Sequence, residues 1–558
     1  SCACGASRRA SFFMSPIIHL LPAKSYINYV QISNYIALKP KEQRNEAPWE
    51  LAVEGLHYMG DPSYPTFTGD ISIQLIYQQE QSTGRWADVP GLSDTVHLQV
   101  PPVLLAWNGQ KAELVFVYGG AAEEVGAALK GRSVELKEVG YHWFEKNRWV
   151  QDYVEVASTI APTATIPVIV DLRNEDAGSV VYEVHGASLR HGLTSISKPD
   201  ADGGDVEVTP PLPLSGYPVG RLIVGHRVGG EFLKLAQAQK VQVSATGEAL
   251  TVYTGWLGEP RHLDELSAFV PALGRAGFAL IVPSPEVAVD ILHRQYMLNR
   301  VKEPVRIGIR QKYNKTVRLE ELLVRADANG IPQYTTLAKA VNDINSPCVF
   351  HLAEPLATRN NDVLRVDDEY VRIIAGAGTK AITVDRVEVN KGLTGRDSCG
   401  GQRLATHSKG AWIYVLSELC KLNVWGHAPE DGPVTDGPQL QINEMVEKLR
   451  PKIADIGICP LSIRIARLPV LYDKVGDYYK ACTANFVNCL IAGGVAVMQH
   501  QEGPSSEQPP LKVDPEPHAF EREVIRQLAA QSCLLGPVFK DAWSYLHMNA
   551  GGLCAILS

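Results

Sequence analysis

Apolar and polar positions alternate differently in successive parts of the chain, and these differences predict its main regions. Between residues 50 and 95, short apolar segments such as LAVEGLHY and DISIQLIY are separated by turns rich in Gly, Pro and Asp. Alternation with a period of two residues, bounded by turn residues, predicts β-strands. The N-terminal region, residues 1–95, is therefore predicted to contain a β-rich domain.

From Val96 onward, apolar strand-like runs alternate with helix-like stretches. The runs include AELVFVY, IPVIVDL and FALIVPS, and helices are predicted at 285–295, 319–326, 440–449 and 519–531. Strands separated by helices indicate the α/β class. At residues 355–416 the strand-like runs instead surround a Gly-rich stretch. This predicts a β module inserted between two parts of one α/β domain, residues 96–354 and 417–558.

The composition is that of a folded globular protein, since 45% of the 558 residues are apolar and 20% are charged. A net charge of -8 without a basic stripe argues against nucleic acid as a partner. No segment approaches the roughly 20 apolar residues of a membrane helix, so no membrane association is expected. The ten cysteines include no C-x-x-C pair, which is typical of reduced thiols and predicts a cytoplasmic protein.

Aromatic, amide and carboxylate side chains are concentrated in the segment RWVQDYVE, residues 148–155. If this segment is extended, Asp152 points to the opposite side from Gln151 and Glu155, because side chains along a strand alternate between faces. The carboxylates can then belong to a buried site, or they can be solvated acids on an edge strand. The segment alone leaves both interpretations open.

An imidazole and a carboxylate come together at His262 and Asp264, in the segment GEPRHLDELSAFVPAL. Residues two apart on an extended turn share a face, so both side chains can converge on one ligand. Histidine exchanges protons near neutral pH, which suits it to acid–base chemistry. The alternative is a surface loop in which Asp264 caps a following helix.

A cysteine follows a Gly-Gly turn in the segment MNAGGLC, residues 548–554. Such a turn can present Cys554 on exposed backbone, where a nearby positive charge would lower the pKa of the thiol. A single cysteine is more often inert, so this segment assigns no function by itself.

The order of these segments resembles that of the protein-arginine deiminases, from about Leu51 to Cys554. The run NRWVQDYVEV, followed by IPVIVDLRN, is similar to the family's Arg-Trp-x-Gln-Asp-x-x-Glu block and the strand after it. DGGDVEVTPPLPLSGYPVGR resembles its Gly-Asn-Leu-Glu-Val-Ser-Pro-Pro stretch, and WLGEPRHLDELSAFVPA resembles its Gly-His-Val-Asp-Glu-Phe turn. The resemblance implies a pentein fold, which is a five-bladed α/β propeller, preceded by an immunoglobulin-like β domain.

The resemblance also implies catalytic roles for four residues. Asp152 and Asp264 would hold the guanidinium group of the substrate, because carboxylates grip that planar group with paired hydrogen bonds. His262 would act as general acid and base, and Cys554 would be the nucleophile.

Substrate-binding positions are implied at Arg148, at Trp149, which would line the aliphatic part of the substrate, and at Asn549. Some positions depart from the family pattern. Glu175 and Asn549 stand where the family has arginines that contact substrate, and the residues around Cys554 are Gly-Gly-Leu before it and Ala-Ile-Leu after it. These departures put catalytic activity in question.

Family members require calcium, and the resemblance implies calcium ligands at positions that carry oxygen donors, the type calcium takes. These ligands are Gln151, Glu155, Asp171, Asn174 and Glu207. Neighbouring positions differ from the family, and Tyr153 replaces an acid, so no more than one or two calcium sites are expected.

Together these features predict a hydrolase that converts peptidyl-arginine to citrulline with release of ammonia. Its partners would be arginine-containing proteins or peptides, and a homodimer is left open. Two alternatives remain. One is a catalytically inactive pentein-fold protein that binds arginine or peptides, and the other is a deiminase of small guanidino compounds.

Overall fold

The computed structural model describes residues 8–14, 18–22, 35–38, 51–55, 69–99, 102–139, 150–160, 165–172, 192–195, 201–258, 261–299, 306–309, 315–343, 345–367, 369–386, 405–427, 435–501, 518–540 and 554–557. All structural statements below concern these residues. None of their helices is both long and apolar enough to cross a membrane.

The N-terminal region contains only strands within its described ranges. They are β1 (Arg8–Met14), β2 (Ile18–Pro22), β3 (Tyr35–Leu38), β4 (Leu51–Gly55), β5 (Asp70–Glu80) and β6 (Trp86–Gln99). Four of them form an antiparallel sheet in the order β3-β1-β5-β6, and β2 pairs with β4. The strands predicted between 50 and 95 are confirmed, and the immunoglobulin-like topology stays a prediction.

Strands and helices alternate in the next region, as predicted. They are β7 (Val103–Leu105), β8 (Ala112–Tyr118), α1 (Gly119–Leu129), β9 (Glu135–Val139), α2 (Val150–Tyr153), β10 (Val154–Ile160), β11 (Thr165–Asp171), β12 (Gly192–Ser195), β13 (Val206–Val208), β14 (Leu222–Gly225), α3 (Gly230–Gln239), β15 (Leu250–Val252), β16 (Ala268–Pro271), β17 (Phe278–Ser284), α4 (Pro285–Asn299), β18 (Arg306–Ile309), β19 (Lys315–Arg318) and α5 (Leu319–Leu323).

A single antiparallel sheet follows, which we call the insert sheet. Its strands are β20 (Tyr334–Thr336), β21 (Cys348–His351), β22 (Val363–Val366), β23 (Glu369–Ala375), β24 (Ala381–Asp385) and β25 (Trp412–Val415). Their order is β20-β25-β22-β23-β24-β21. The inserted module was predicted at 355–416, and the sheet also includes β20 and β21, which precede that range.

The remaining elements return to the α/β pattern. They are α6 (Glu418–Val424), β26 (Gly426–His427), β27 (Thr435–Asp436), α7 (Pro438–Leu449), β28 (Arg464–Pro469), β29 (Tyr472–Val475), β30 (Tyr478–Ala481), β31 (Leu490–Ala492), β32 (Val495–Gln499), α8 (Ala519–Ala530), β33 (Gly536–Lys540) and β34 (Cys554–Leu557). Helices predicted around 285, 440 and 519 are confirmed as α4, α7 and α8.

Five small sheets of the described α/β region share one pattern. In each, a central strand pairs antiparallel with one neighbour and parallel with the other. The sheets are β34-β8-β9, β10-β11-β12 with β7 at its edge, β13-β14-β15, β16-β17-β28 and β31-β32-β33. Parallel neighbours require a crossover connection, and α1, α3, α4 and α8 lie in four of these connections.

Strand β17 links the candidate site to the core. All seven of its residues are buried, and its alternate side chains enter two different hydrophobic clusters. Ile281 packs with the residues of α4, whereas Leu280 packs with Leu263 and Leu266. A strand buried on both faces explains the uninterrupted apolar run FALIVPS. It also fixes the turn at residues 262–266, which precedes the neighbouring strand β16.

A buried ionic network holds the insert sheet together. Arg386 donates from Nε to Glu369 Oε1 at 2.6 Å and from a terminal nitrogen to Glu369 Oε2 at 2.5 Å. His407 lies 2.8 Å from Asp367 through Nδ1 and 2.9 Å from Glu369 through Nε2. Burial alone would raise the pKa of Glu369, but hydrogen bonds from Arg386 and His407 outweigh it and hold that pKa below its ordinary value.

We predict that Glu369→Gln destabilises the insert sheet by about 3 kcal/mol or more, because it removes the carboxylate that pairs with the buried guanidinium of Arg386. Hydrogen exchange in Val363–Val366 and Glu369–Ala375 measures this local stability. The exchange of β8 should stay unchanged as a control. Equal protection of the insert strands in the variant and the parent would contradict the prediction.

The network also predicts a pH dependence. Burial alone would lower the pKa of His407, but Glu369 and Asp367 raise it above its ordinary 6.5. The stabilisation from His407 is therefore fully present below about pH 6.5 and is lost as the pH rises through the raised value. Hydrogen exchange of the insert sheet, corrected for intrinsic exchange, should show this loss as the pH rises above 6.5. A His407→Gln variant should lack it.

Candidate active site

Three short helical turns and two strands place acidic side chains in one part of the fold. The segment 150–153 forms the helical turn α2, so the extended conformation considered from the sequence is wrong there, and strand β10 begins at Val154. Asp152 is buried with 3% of its surface exposed. Gln151 and Glu155 both line one small cavity, and Asp152 does not. Asp152 thus points away from Gln151 and Glu155, as predicted, but a helical turn and not an extended strand separates them.

A pair of glycines lets backbone approach the site closely. Gly203, Gly204 and Asp205 form a 3₁₀ turn that leads into β13, which carries Glu207. A Cβ atom on Gly203 would lie 1.9 Å from the carbonyl oxygen of Gln151, and one on Gly204 would lie 2.4 Å from His262 Nδ1. Any side chain at these two positions would push the 150–155 segment or the imidazole out of place.

His262 is completely buried and precedes a 3₁₀ turn, Leu263–Glu265. Strand β16 follows that turn directly, so the helix considered as an alternative after Asp264 is absent from this described segment. His262 Nδ1 lies 3.7 Å from Asp152 Oδ1, and its Nε2 lies 3.5 Å from Asp202 Oδ2. The imidazole therefore stands between two carboxylates.

Buried carboxylates dominate the electrostatics. Burial alone would lower the pKa of His262, but Asp202, Asp152, Asp264 and Glu265 raise it to about 10. The ring is therefore a protonated cation at neutral pH. The raised pKa of His262 thus reflects the negative charges of four carboxylates.

The carboxylates themselves are disfavoured as anions. Burial raises the pKa of Glu265 to about 7 and that of Glu207 to about 8. Burial also raises the pKa of Asp264 and Glu155, and the charge of Glu207 adds to both effects. Each additional proton or cation taken up here relieves that cost, so the cluster favours cationic ligands.

A cavity of about 50 Å³ lies beside this cluster. Glu155, Glu207 and Asp264 line it, together with the side chains of Asn108 and Cys489. Asn108 donates to Glu207 at 3.3 Å. Both carboxylate oxygens of Asp264 are buried without a hydrogen-bond partner among the described residues. A hydrogen-bond donor, a cation or a proton at Asp264 would reduce the cost of burying this carboxylate.

The predicted residues are brought together in part. Asp152, His262 and Asp264 belong to one cluster, and Gln151, Glu155 and Glu207 line the adjoining cavity. Sequence reasoning missed Asp202, although it lies in the same DGGDVEV segment as the predicted Glu207. It also missed Asn108 and Cys489, which come from distant segments without a motif.

Other predicted positions are described incompletely or not at all. Cys554 begins β34, whose backbone pairs with Phe116 of β8 and which lies beside β10. The position of its sulfur stays a prediction. Asp171 ends β11, where its backbone pairs with Val154 of β10. The predicted residues outside the described ranges are Arg148, Trp149, Asn174 and Asn549.

The described ranges contain no group of three or more His, Cys, Asp or Glu side chains arranged to hold a metal ion. The predicted calcium ligands that are described therefore have suitable donor atoms but are not gathered into a closed coordination shell.

Comparison with known proteins finds similarity to one family in part of the chain. Residues 90–335 match the family model described as protein-arginine deiminase. Protein-arginine deiminase type-3 from Rattus norvegicus is 28% identical over 278 residues, which cover 44% of this chain and 40% of the relative. The type-1 enzyme from Homo sapiens is 23% identical over 285 residues, 47% of this chain and 41% of the relative.

The type-3 enzyme from Mus musculus is 30% identical over 274 residues, 44% of this chain and 40% of the relative. The matches thus span about two fifths of the length of these relatives. Among solved structures, an agmatine deiminase from C. jejuni covers 83% of this chain and 98% of its own, with 8% identity and a TM-score of 0.35. That score is too low to carry an argument.

We predict that the His262 ring titrates near pH 10 and that Asp152→Asn lowers its pKa, because the substitution removes one of the carboxylates that stabilise the cation. NMR titration of the ring protons measures both. His226 is the internal control, because burial and the charges of Arg227 and Arg261 lower its pKa below 6.5. A His262 pKa of 6.5 or less would show that the carboxylates do not control the ring.

Proposed function

We propose that the cluster around His262 is the active site of a deiminase-type hydrolase, because residues 90–335 match the family model described as protein-arginine deiminase. The proposed reaction converts arginine side chains of peptides or proteins to citrulline and releases ammonia. The observation that carries the proposal is the Asp264 carboxylate, whose two oxygens are buried without a hydrogen-bond partner among the described residues, next to a buried imidazolium.

A guanidinium group fits the needs of this cluster. It is a planar cation with five N–H donors, and a carboxylate accepts two of them side by side. Asp152 and Asp264 are each almost fully buried, at 3% and 4% exposure. Burial makes such a pair effective, because an exposed ion pair contributes only about 0–1 kcal/mol. Binding of the guanidinium would supply the positive charge that the crowded carboxylates lack.

The proposed chemistry uses three side chains. The sulfur of Cys554, as a thiolate, attacks the central carbon of the guanidinium and forms a C–S bond. His262 donates its proton to a departing nitrogen, the C–N bond breaks, and ammonia leaves. Water then adds to the same carbon as the now neutral His262 takes one of its protons. The C–S bond breaks, Cys554 leaves as the thiolate, the second water proton passes to the released ammonia or to solvent, and the product carries the carbonyl oxygen of citrulline.

The pKa of His262 is consistent with this role. In the free site the neighbouring carboxylates hold the proton on the ring, with a pKa of about 10. A bound guanidinium neutralises the field of those carboxylates, so the ring becomes a stronger acid when substrate is present. Proton donation is then coupled to correct binding.

The fold supports the same proposal. Five sheets repeat one pairing pattern, and β34 closes the set by pairing with β8, near the start of the region. A ring of five such units would be the propeller of the pentein fold, and we propose that architecture, preceded by an immunoglobulin-like domain formed from β1 to β6. Closing the ring with β34 would bring Cys554 to the strand that follows Asp152.

Calcium is part of the proposal. Gln151, Glu155 and Glu207 offer oxygen donors around a shared cavity, and burial raises the pKa of both carboxylates. These residues fit a hard divalent cation. Bound calcium would supply positive charge and so allow both carboxylates to ionise. The residues would then hold segment 151–155, including Asp152, in a fixed position.

The departures at Glu175, Asn549 and the neighbours of Cys554 favour a second candidate, a protein that binds arginine peptides without turnover. Activity on small guanidino compounds is the third. The proposal also retains a cytoplasmic location and protein or peptide substrates.

We predict that the full chain, assayed with calcium, releases ammonia and citrulline from an arginine peptide. Asp264→Asn should lower kcat/KM by about a hundredfold or more, because it removes half of the charge that orients the guanidinium. Cys554→Ala should abolish turnover. The matched control is Cys459→Ala, at an exposed cysteine outside the site, which should leave the rate unchanged.

The outcomes separate the candidates. Turnover that survives Cys554→Ala would remove the nucleophile from the proposal. Peptide binding by calorimetry without ammonia release would favour the inactive binding protein, and hydrolysis of agmatine but not of peptide would favour the third candidate.

We predict that calcium raises the midpoint of thermal unfolding, since a ligand at 100 times its Kd stabilises the folded state by about 2.7 kcal/mol. Glu207→Gln should raise the midpoint without calcium, because it removes a costly buried charge, and should lose the calcium response. Glu354→Gln, at a carboxylate 76% exposed, is the control. A full calcium response in Glu207→Gln would exclude the cavity as the calcium site.

A further inference from the structure

A wide groove lies away from the His262 cluster, between helices α4 and α8 and the insert sheet. Its volume is about 750 Å³, within the usual range for small-molecule sites. The described residues that line it are Val287, Asp290, Arg294, Asp367, Glu369, Ala405, Thr406, His407, Glu523, Arg526 and Gln527.

The charges on the insert side of this groove are internally balanced. Both ring nitrogens of His407 face carboxylate oxygens, at 2.8 Å and 2.9 Å. A carboxylate can only accept a hydrogen bond, so both nitrogens donate and the ring is an imidazolium. Its charge is matched by Asp367, and the charge of Glu369 is matched by Arg386. This wall therefore offers little net charge to a ligand.

The floor of the groove is balanced as well. Asp290 Oδ1 lies 2.7 Å from a terminal nitrogen of Arg365, whose side chain is completely buried. Asp290 is thus committed to an internal cation, and it is not a site of excess negative charge.

The helix side carries excess positive charge. Glu523 accepts from Arg526 at 2.8 Å and 2.5 Å, and Arg294 lies 3.9 Å from the same carboxylate. One buried carboxylate therefore serves two guanidinium groups, and the contact with Arg294 is too long for a hydrogen bond. The side chains of Arg294 and Arg526 are 56% and 60% exposed, so both present N–H donors to the groove.

Among the described residues, the groups that line the groove or pair directly with its walls comprise five cations and four carboxylates. The cations are Arg294, Arg365, Arg386, His407 and Arg526, and the carboxylates are Asp290, Asp367, Glu369 and Glu523. The single unit of excess charge lies at the exposed arginine pair, because every other cation is held by its own acid.

We propose that this groove is a binding site for a small molecule that carries a phosphate or carboxylate group, held by Arg294 and Arg526. Both arginine side chains are exposed on adjacent helices, and the N–H groups that Glu523 does not accept can donate to an oxyanion. The site lies outside the His262 cluster and does not depend on the proposed hydrolase activity.

Calorimetric titration of the full chain with inorganic phosphate, and separately with citrate, tests the proposal at constant ionic strength. Binding is expected for at least one of the two. Arg294→Gln and Arg526→Gln should each weaken it by about tenfold or more, the effect of losing one charge-assisted hydrogen bond. Comparing the affinities for the two anions shows whether the groove prefers a phosphate or a carboxylate group.

Two further variants separate binding from damage to the fold. Glu523→Gln should strengthen anion binding, because it removes the internal carboxylate that competes for both arginines, whereas a merely disturbed fold would weaken it. Lys448→Gln, at a lysine 70% exposed on helix α7, should have no effect. The proposal fails if neither anion binds at millimolar concentration, if both arginine variants bind as tightly as the parent, or if Glu523→Gln weakens binding as they do.

Discussion

Repulsion among buried carboxylates is the constraint that governs the arrangement of residues around His262. Four carboxylates act on the buried imidazole of His262, those of Asp152, Asp202, Asp264 and Glu265. Burial raises the pKa of Asp264 and Glu265, which means that the folded chain disfavours their charged forms. A protein keeps such an arrangement when a cation relieves it, because buried charges without partners lower the stability of the fold.

The backbone around the cluster keeps these acidic side chains close together. Gly203 and Gly204 leave no room for side chains between the 3₁₀ turn and the residues it touches, Gln151 and His262. The turn at Leu263–Glu265 is fixed from below by Leu263 and Leu266, which pack in the cluster that includes Leu280 of β17. The acidic side chains therefore cannot move apart to reduce their repulsion. A bound cationic ligand would reduce it instead.

Sequence patterns could predict much of this arrangement, but for unequal reasons. Strands and helices such as β17 and α4 follow from local periodicity, and Asp152, His262 and Asp264 follow from the order of short segments along the chain. The turn at 150–153 was not predicted as helical, because four residues are too few to show a period. Asp202 could not be assigned a role, since its significance depends on a 3.5 Å approach to a histidine sixty residues away.

The five repeated sheets illustrate the same limit at a larger scale. Their pairing pattern is uniform, yet their sequences share only apolar strands and glycine turns, so no repeat is visible in the chain. The insert sheet also begins before the module predicted at 355–416, because β20 and β21 lack the long apolar runs of β22 and β23. The same backbone pairing thus occurs in sheets whose side chains differ.

The ionic network of the insert sheet and the cluster around His262 differ in their balance of positive and negative charges. In the insert sheet, Arg386 and His407 answer Glu369 and Asp367, so the network is complete and its members stabilise one another. Around His262, the described carboxylates outnumber the imidazolium that lies between them, and that excess favours a cationic ligand. A charge-balanced network stabilises the fold, whereas a rigid cluster with excess negative charge favours the binding of a cation.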